Sequence, residues 1–198
     1  VTFFGTLVDL EKGIFLGIIV SLIFYLYRTS RPSMRPLAPL AAEKFNPNRK
    51  FIAAGPDAPG CPQMEMVRME GSVFFGAVDH VQQSLRQIDE HDPAKKHVML
   101  FSRAVNFIDL AGAEMLAAEA RRRQKLGGGL YLVGVQPGFC SMLREGGHVD
   151  HVGQDNIFPG KGQAISAVYP KLDSEICRTC KARIFTECDA ALPNGEPR

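Results

Sequence analysis

An uncharged apolar run, Gly13–Tyr27, constrains this chain more than any other feature. Ile14, Phe15, Leu16, Ile18, Ile19, Val20, Leu22, Ile23, Phe24 and Leu26 put hydrocarbon on every side of the helix they would form, with no polar stripe to face water. A full bilayer span needs about 20 apolar residues. Three readings therefore stay open: a short span, one arm of a broken hairpin, or a helix buried in a soluble core. The flanks favour the membrane. Tyr25 and Tyr27 stand where interface aromatics collect, and Arg28, Arg31 and Arg35 follow at once, the pattern of a cytoplasmic exit. Val1–Val8 is apolar again, and Asp9, Glu11 and Lys12 between the two stretches read as a polar hairpin turn at the membrane surface. The first residue is Val, and no charged leader or small-residue cleavage site precedes the run. It reads as part of a fragment whose upstream sequence is missing, not as a signal peptide.

Beyond Arg28 the composition shifts. Pro32, Pro36, Pro39, Pro47, Pro56, Pro59 and Pro62 rule out one long helix over residues 31–62. That stretch is expected to be a linker with a short strand at Lys50–Ala54. From Gln63 the pattern becomes regular. Gln63–Glu70 is a strand, and Phe74, Val78, Val81, Leu85 and Ile88 form the apolar stripe of a helix that His91-Asp92-Pro93 ends. His97–Ile108 is an apolar strand with a break at Ser102-Arg103. Leu110–Leu126 is a helix with Leu110, Ala113, Leu116, Ala117 and Ala120 inward and Arg121–Arg123 outward, stopped by Gly127–Gly129. Leu130–Val135 is a buried strand, Pro137–Glu145 a helix, Ile157-Phe158 a last strand and Gln163–Tyr169 a last helix. Strands alternating with helices predict an α/β fold, a small mixed β-sheet flanked by helices. The expected organisation is a terminal membrane segment (1–30), a Pro-rich linker (31–62), an α/β domain (63–172) and a cysteine-containing tail (173–198).

The net charge of +2 gives no pull toward nucleic acid. The best-defined local feature is the join at Asp109, Leu110, Ala111 and Gly112, where a strand runs into a helix through one carboxylate. Asp there caps the helix, because its oxygens accept the first free N–H groups. The surface around it is the candidate partner-binding loop. Cys177, Cys180 and Cys188 form C-x2-C-x7-C, a spacing that can share a metal ion or form a redox pair. Three thiolates leave tetrahedral zinc one ligand short, so Asp189, Glu187 or a distant His would complete it. Arg178, Lys181 and Arg183 would lower the pKa of nearby thiols. Cys61 and Cys140 read as isolated and inert. His148, Asp150 and His151 read as a solvated loop, and Gly127–Gly129 follows a helix where a phosphate loop would precede one. No nucleophile–base arrangement stands out, so no enzymatic activity and no obligatory cofactor are expected.

The segment LVDLEKGIFLGIIVSLIFYLYRTSRP resembles the last membrane helices of SulP-type anion transporters. QMEMVRMEGSVFFGAVDHVQQSL, then NFIDLAGAEML with its basic helix, GGG and LYLVGV, resemble the opening and centre of the STAS domain that ends those transporters. The resemblance implies a STAS-like fold on the cytoplasmic side of an inner or plasma membrane, with residues from about 28 onward in the cytoplasm. It implies a regulatory and interaction role in a secondary carrier of sulfate, bicarbonate or dicarboxylate, and a fragment that transports nothing alone. Its implied partners are the transporter's own membrane core, a second copy in a homodimer, and an acidic protein such as acyl carrier protein. The alternative is a membrane-tethered signalling module like the anti-sigma-factor antagonists. Those carry a phosphorylated Ser at the third place of Asp-x-Ser-Gly, where this chain has Ala111, so that chemistry is unavailable here.

Overall fold

The computed structural model describes residues 10–40, 50–55 and 58–197. Helix α1, Leu10–Thr29, is 20 residues long, about 30 Å at 1.5 Å per residue and enough for a bilayer core. Only 6% of its most apolar window is buried, and Ile14, Ile18, Leu22, Ile23 and Phe24 are exposed. Among the described residues, then, it is not a core helix. Glu11 and Lys12 lie in its first turn and not in a hairpin turn; Asp9 and Val1–Val8 lie outside the described residues. At the other end the Arg31 guanidinium stacks 4.3 Å from the centre of the Tyr27 ring.

The stretch expected to be a linker supplies two strands. β1 (Ser33–Pro39) and β2 (Phe51–Ala53) join β3 (Met64–Val73), β4 (His97–Ile108), β5 (Gly129–Val133) and β6 (Ile157–Phe158) in one sheet of order β2-β1-β3-β4-β5-β6. β1 runs antiparallel to both neighbours; β3 through β6 are parallel. β1 tolerates its prolines because they stand at ladder ends. Ser33–Pro36 pairs with β3, and Leu37–Pro39 then pairs with β2. The expected break in β4 is a bulge: Arg68 faces Phe101 but Glu70 faces Ala104, leaving an extra residue at Ser102-Arg103. A second irregularity follows at Asn106.

The central strands are apolar on both faces because each face carries a core. Val67, Met69, Val98, Leu100, Leu130 and Leu132 pack under α2 (Val78–His91), α3 (Leu110–Lys125), α4 (Pro137–Glu145) and the short turn α5 (Val149–Val152). Met64, Met66, Met99, Tyr131 and Val133 face the other way. They pack under α6 (Lys161–Val168) and the C-terminal residues, which include α7 (Ser174–Thr179) and α8 (Glu187–Ala190). The cysteine-containing tail is thus part of a core, with Cys177, Ile184, Phe185 and Leu192 buried.

Helix α3 departs from its expected orientation at both ends. Leu110 is 55% exposed and Arg123 is fully buried. The Arg123 guanidinium pairs with Glu119 (2.7 Å) and Asp89 (3.0 Å) and donates to the carbonyls of Leu85, Lys95 and Lys96. Arg122 pairs with Glu119 and Asp89 as well. Charge spacing alone cannot reveal such burial, because the distant acceptors come from α2 and the turn just ahead of β4. Nearby, His97 Nδ1 lies 3.0 Å from the Tyr131 hydroxyl. Burial, reinforced by Lys171, Arg123 and Lys96, holds the His97 pKa down at about 4. Burial also pushes the Tyr131 phenol up to about 12.

Candidate functional site

Asp109 holds two helix starts at once. One carboxylate oxygen accepts the Gly112 N–H at 2.8 Å, the expected cap of α3. The other accepts the Phe75 N–H at 2.9 Å, at the head of the 3-10 turn Phe75–Ala77 that leads into α2. That turn has no side-chain cap of its own, so the β4–α3 join supplies it. The Asp109 N–H donates to the Val73 carbonyl (3.2 Å), completing the stitch between the two loops. Gly112 is required by proximity: a Cβ there would lie 2.6 Å from the Val73 oxygen. Ala111 is half-buried in the first turn of α3.

Around this rigid join the surface is apolar. Phe75 is 80% exposed, Phe107 55% and Leu110 55%. Single exposed apolar residues are common, but three at the mouth of one capped loop form a patch. The exit of α1 reaches the same end of the sheet. A Cβ at Gly76 would come within 3.1 Å of the Ser30 hydroxyl, and the His80 ring lies 3.1 Å from the Pro32 carbonyl oxygen. The apolar helix and the Asp109 loop therefore share one end, where β3 and β4 finish.

Comparison with known proteins agrees with this architecture. The STAS domain pattern matches residues 56–164, more than half of the chain. The chain belongs to the STAS domain family. The chain is similar to the putative sulfate transporter YvdB of Bacillus subtilis (strain 168), 24% identical over 152 residues, covering 77% of this chain and 26% of the relative. It is also similar to sulfate transporter 1.2 of Arabidopsis thaliana, 24% identical over 184 residues, covering 88% and 28%. The chain spans about a quarter of the length of these curated relatives. Its fold matches the murine solute carrier 26 family member A9 anion transporter in the inward-facing state, with a TM-score of 0.70 at 19% identity over 84% of this chain and 27% of that one.

Other residues singled out by sequence fall elsewhere on the STAS domain. His148 and His151 flank and enter the one-turn helix α5, and no three His, Cys, Asp or Glu side chains stand as a metal-holding group among the described residues. Of the basic residues on α3, Arg122 and Arg123 are committed to internal carboxylates, leaving Arg121 and Lys125 for any acidic partner. Arg178 pairs with Glu196 (2.8 Å) and Glu175 (3.6 Å), so its charge is directed to carboxylates and not to the thiols. Cys61 is not isolated: it lines a void together with Cys177, Cys180 and Cys188. Burial first, with Cys188 and Cys177 adding to it, pushes the Cys61 thiol up to about 12. On the same face of the sheet a cavity of about 560 Å³ is lined by Phe51, Arg68, Phe101, Arg103 and Lys161. The sequence reading missed it because its cations come from three separate elements.

Proposed function

We propose that this chain is the C-terminal end of a SulP-type secondary anion transporter, with α1 as its last membrane span and the STAS domain on the cytoplasmic side. In this reading the domain acts through contact and not through chemistry. Its loop end, Phe75, Phe107 and Leu110 around the Asp109 clasp, docks on the transporter's own membrane core and regulates it. The observation that carries the reading is the shared end: the apolar helix leaves the domain beside a capped loop that exposes Phe75, Phe107 and Leu110. The sulfate-transporter relatives support the same assignment, and sulfate, bicarbonate and dicarboxylate remain the candidate substrates. A homodimer is proposed through the same membrane-proximal region.

The native reading frame upstream of Val1 tests the transporter assignment. Several further apolar spans support it, and a soluble domain in their place overturns it in favour of a tethered signalling module. The docking is tested in the complete transporter, reconstituted in liposomes, with Phe75→Ser, Phe107→Ser and Leu110→Ser combined. Sulfate uptake is expected to fall several-fold while the domain melts as before. Unchanged uptake would overturn the docking.

A further inference from the structure

Four of the five cysteines in this chain surround one void. Cys61 comes from the segment ahead of β3, Cys177 from α7, Cys180 from the turn that follows, and Cys188 from α8. The void measures about 10 Å³, the room of a single small atom. All of these cysteines are thiols, none of them in a disulfide.

The sequence alone leaves a C-x2-C-x7-C set one donor short, and neither Glu187 nor Asp189 lines the void. Glu187 accepts instead from the Ser166 and Thr186 hydroxyls. The fold supplies the missing donor from far upstream. Gln63, two residues after Cys61, is 4% exposed and acts as the fastener. Its amide oxygen accepts the Asp173 N–H (2.7 Å), and its amide nitrogen donates to the Asp173 carbonyl (2.9 Å). That pins the start of α7 beside the Cys61 segment. The same nitrogen donates to the Cys177 sulfur at 3.3 Å, the kind of outer hydrogen bond that orients a thiolate ligand. Between Cys180 and Cys188 the backbone reverses at Arg183, in the left-handed region (φ 39°), and Ile184 and Phe185 are buried. That reversal returns Cys188 to the void.

We propose that Cys61, Cys177, Cys180 and Cys188 form a four-thiolate zinc site that staples the C-terminal tail to the sheet. A closed set of four sulfurs without an open position is the arrangement of a structural site, and soft thiolates favour zinc over magnesium or calcium. As the side chains stand, no three of them form a metal-holding group: Cys61 and Cys177 are buried, and Cys180 and Cys188 are half-buried. Ion binding closes the shell by turning these last two toward the buried pair. The site goes beyond the docking surface, lies at the opposite end of the sheet from Asp109, and stands or falls independently of it.

The test uses the full 198-residue chain, purified in detergent under reducing conditions and titrated with cobalt(II), then zinc chloride. Wild type and Cys140→Ser are expected to develop the intense visible bands of a tetrahedral cobalt thiolate, and to hold equimolar zinc after gel filtration. Cys61→Ser and Cys188→Ser are each expected to weaken the metal about tenfold or more. In wild type alone, zinc should protect the four thiols from alkylation in mass mapping and leave Cys140 unprotected, which keeps the proposal testable where a variant misfolds. Three results would overturn it. One is wild type without cobalt bands. Another is Cys61→Ser binding as tightly as wild type. The third is a disulfide joining Cys61 to a tail cysteine on air oxidation, with no metal uptake by the reduced chain.

Discussion

The two ends of the sheet are built in opposite ways. Where β3 and β4 begin, the STAS domain buries polar groups: Gln63, His97, Glu119 and Arg123 are all less than 7% exposed. Among the described residues, no buried side-chain nitrogen or oxygen there or elsewhere lacks a hydrogen-bond partner. Where the same strands finish, the domain exposes Phe75, Phe107 and Leu110. Burying polar groups costs free energy unless each is paired, and exposing large apolar ones forgoes burial that folding could have used. One end is therefore self-sufficient, and the other leaves three large apolar side chains uncovered by the described residues. The apolar helix α1 leaves from that second end.

The largest test of this contrast is Arg123→Ala. It leaves Glu119 and Asp89 with Arg122 alone and takes the guanidinium from the Leu85, Lys95 and Lys96 carbonyls. Removing one partner of a buried ion pair costs about 3–5 kcal/mol, to be read from urea unfolding. Arg123→Met, which fills the space without a charge, should cost less only when Glu119 is also made apolar. At the loop end, Gly112→Ala forces a methyl against the Val73 carbonyl and should cost about 1–3 kcal/mol. Asp109→Ala removes both helix caps and should cost about 1–2 kcal/mol, with faster amide exchange at Phe75 and Gly112.

Smaller effects sharpen the comparison. His97 holds its pKa near 4 against an ordinary 6.5. The folded state thus refuses a proton that the unfolded chain takes up. The His97 contribution to stability is complete above pH 6.5 and is lost progressively as the pH falls toward 4. Urea midpoints should fall across that window, and His97→Phe should flatten part of the slope. The smallest change in stability is expected from Phe75→Ser, Phe107→Ser and Leu110→Ser. Each should shift the isolated chain by no more than about 0.5 kcal/mol, because these side chains bury little in the domain itself. A large loss would mean that the patch is internal packing and would break the comparison.

Most of the α/β alternation was legible because each element carries its own period. The stripe Phe74 to Ile88 and the apolar run of β4 need no distant partner to be recognised. The Asp109 cap was legible for the same reason, since Gly112 is its neighbour. Its second bond was not, because the Phe75 N–H lies 34 residues away. β1 was hidden by Pro36 and Pro39, which argue against an internal strand until the change of ladder between them is seen. The burial of Arg123 and the convergence of Cys61 with the tail cysteines were hidden too. Each depends on groups that only the folded sheet brings together.

The central claim is that the loop end faces the membrane. It is tested most directly by depth measurement on the chain reconstituted in nanodiscs with quencher-labelled lipid headgroups. One fluorophore would sit at Phe107→Cys, and one at Glu175→Cys on α7, near the start of β3 and about 30 Å away along the strand. The account predicts strong quenching at 107 and little at 175. Equal quenching at the two positions, or stronger quenching at 175, would contradict it.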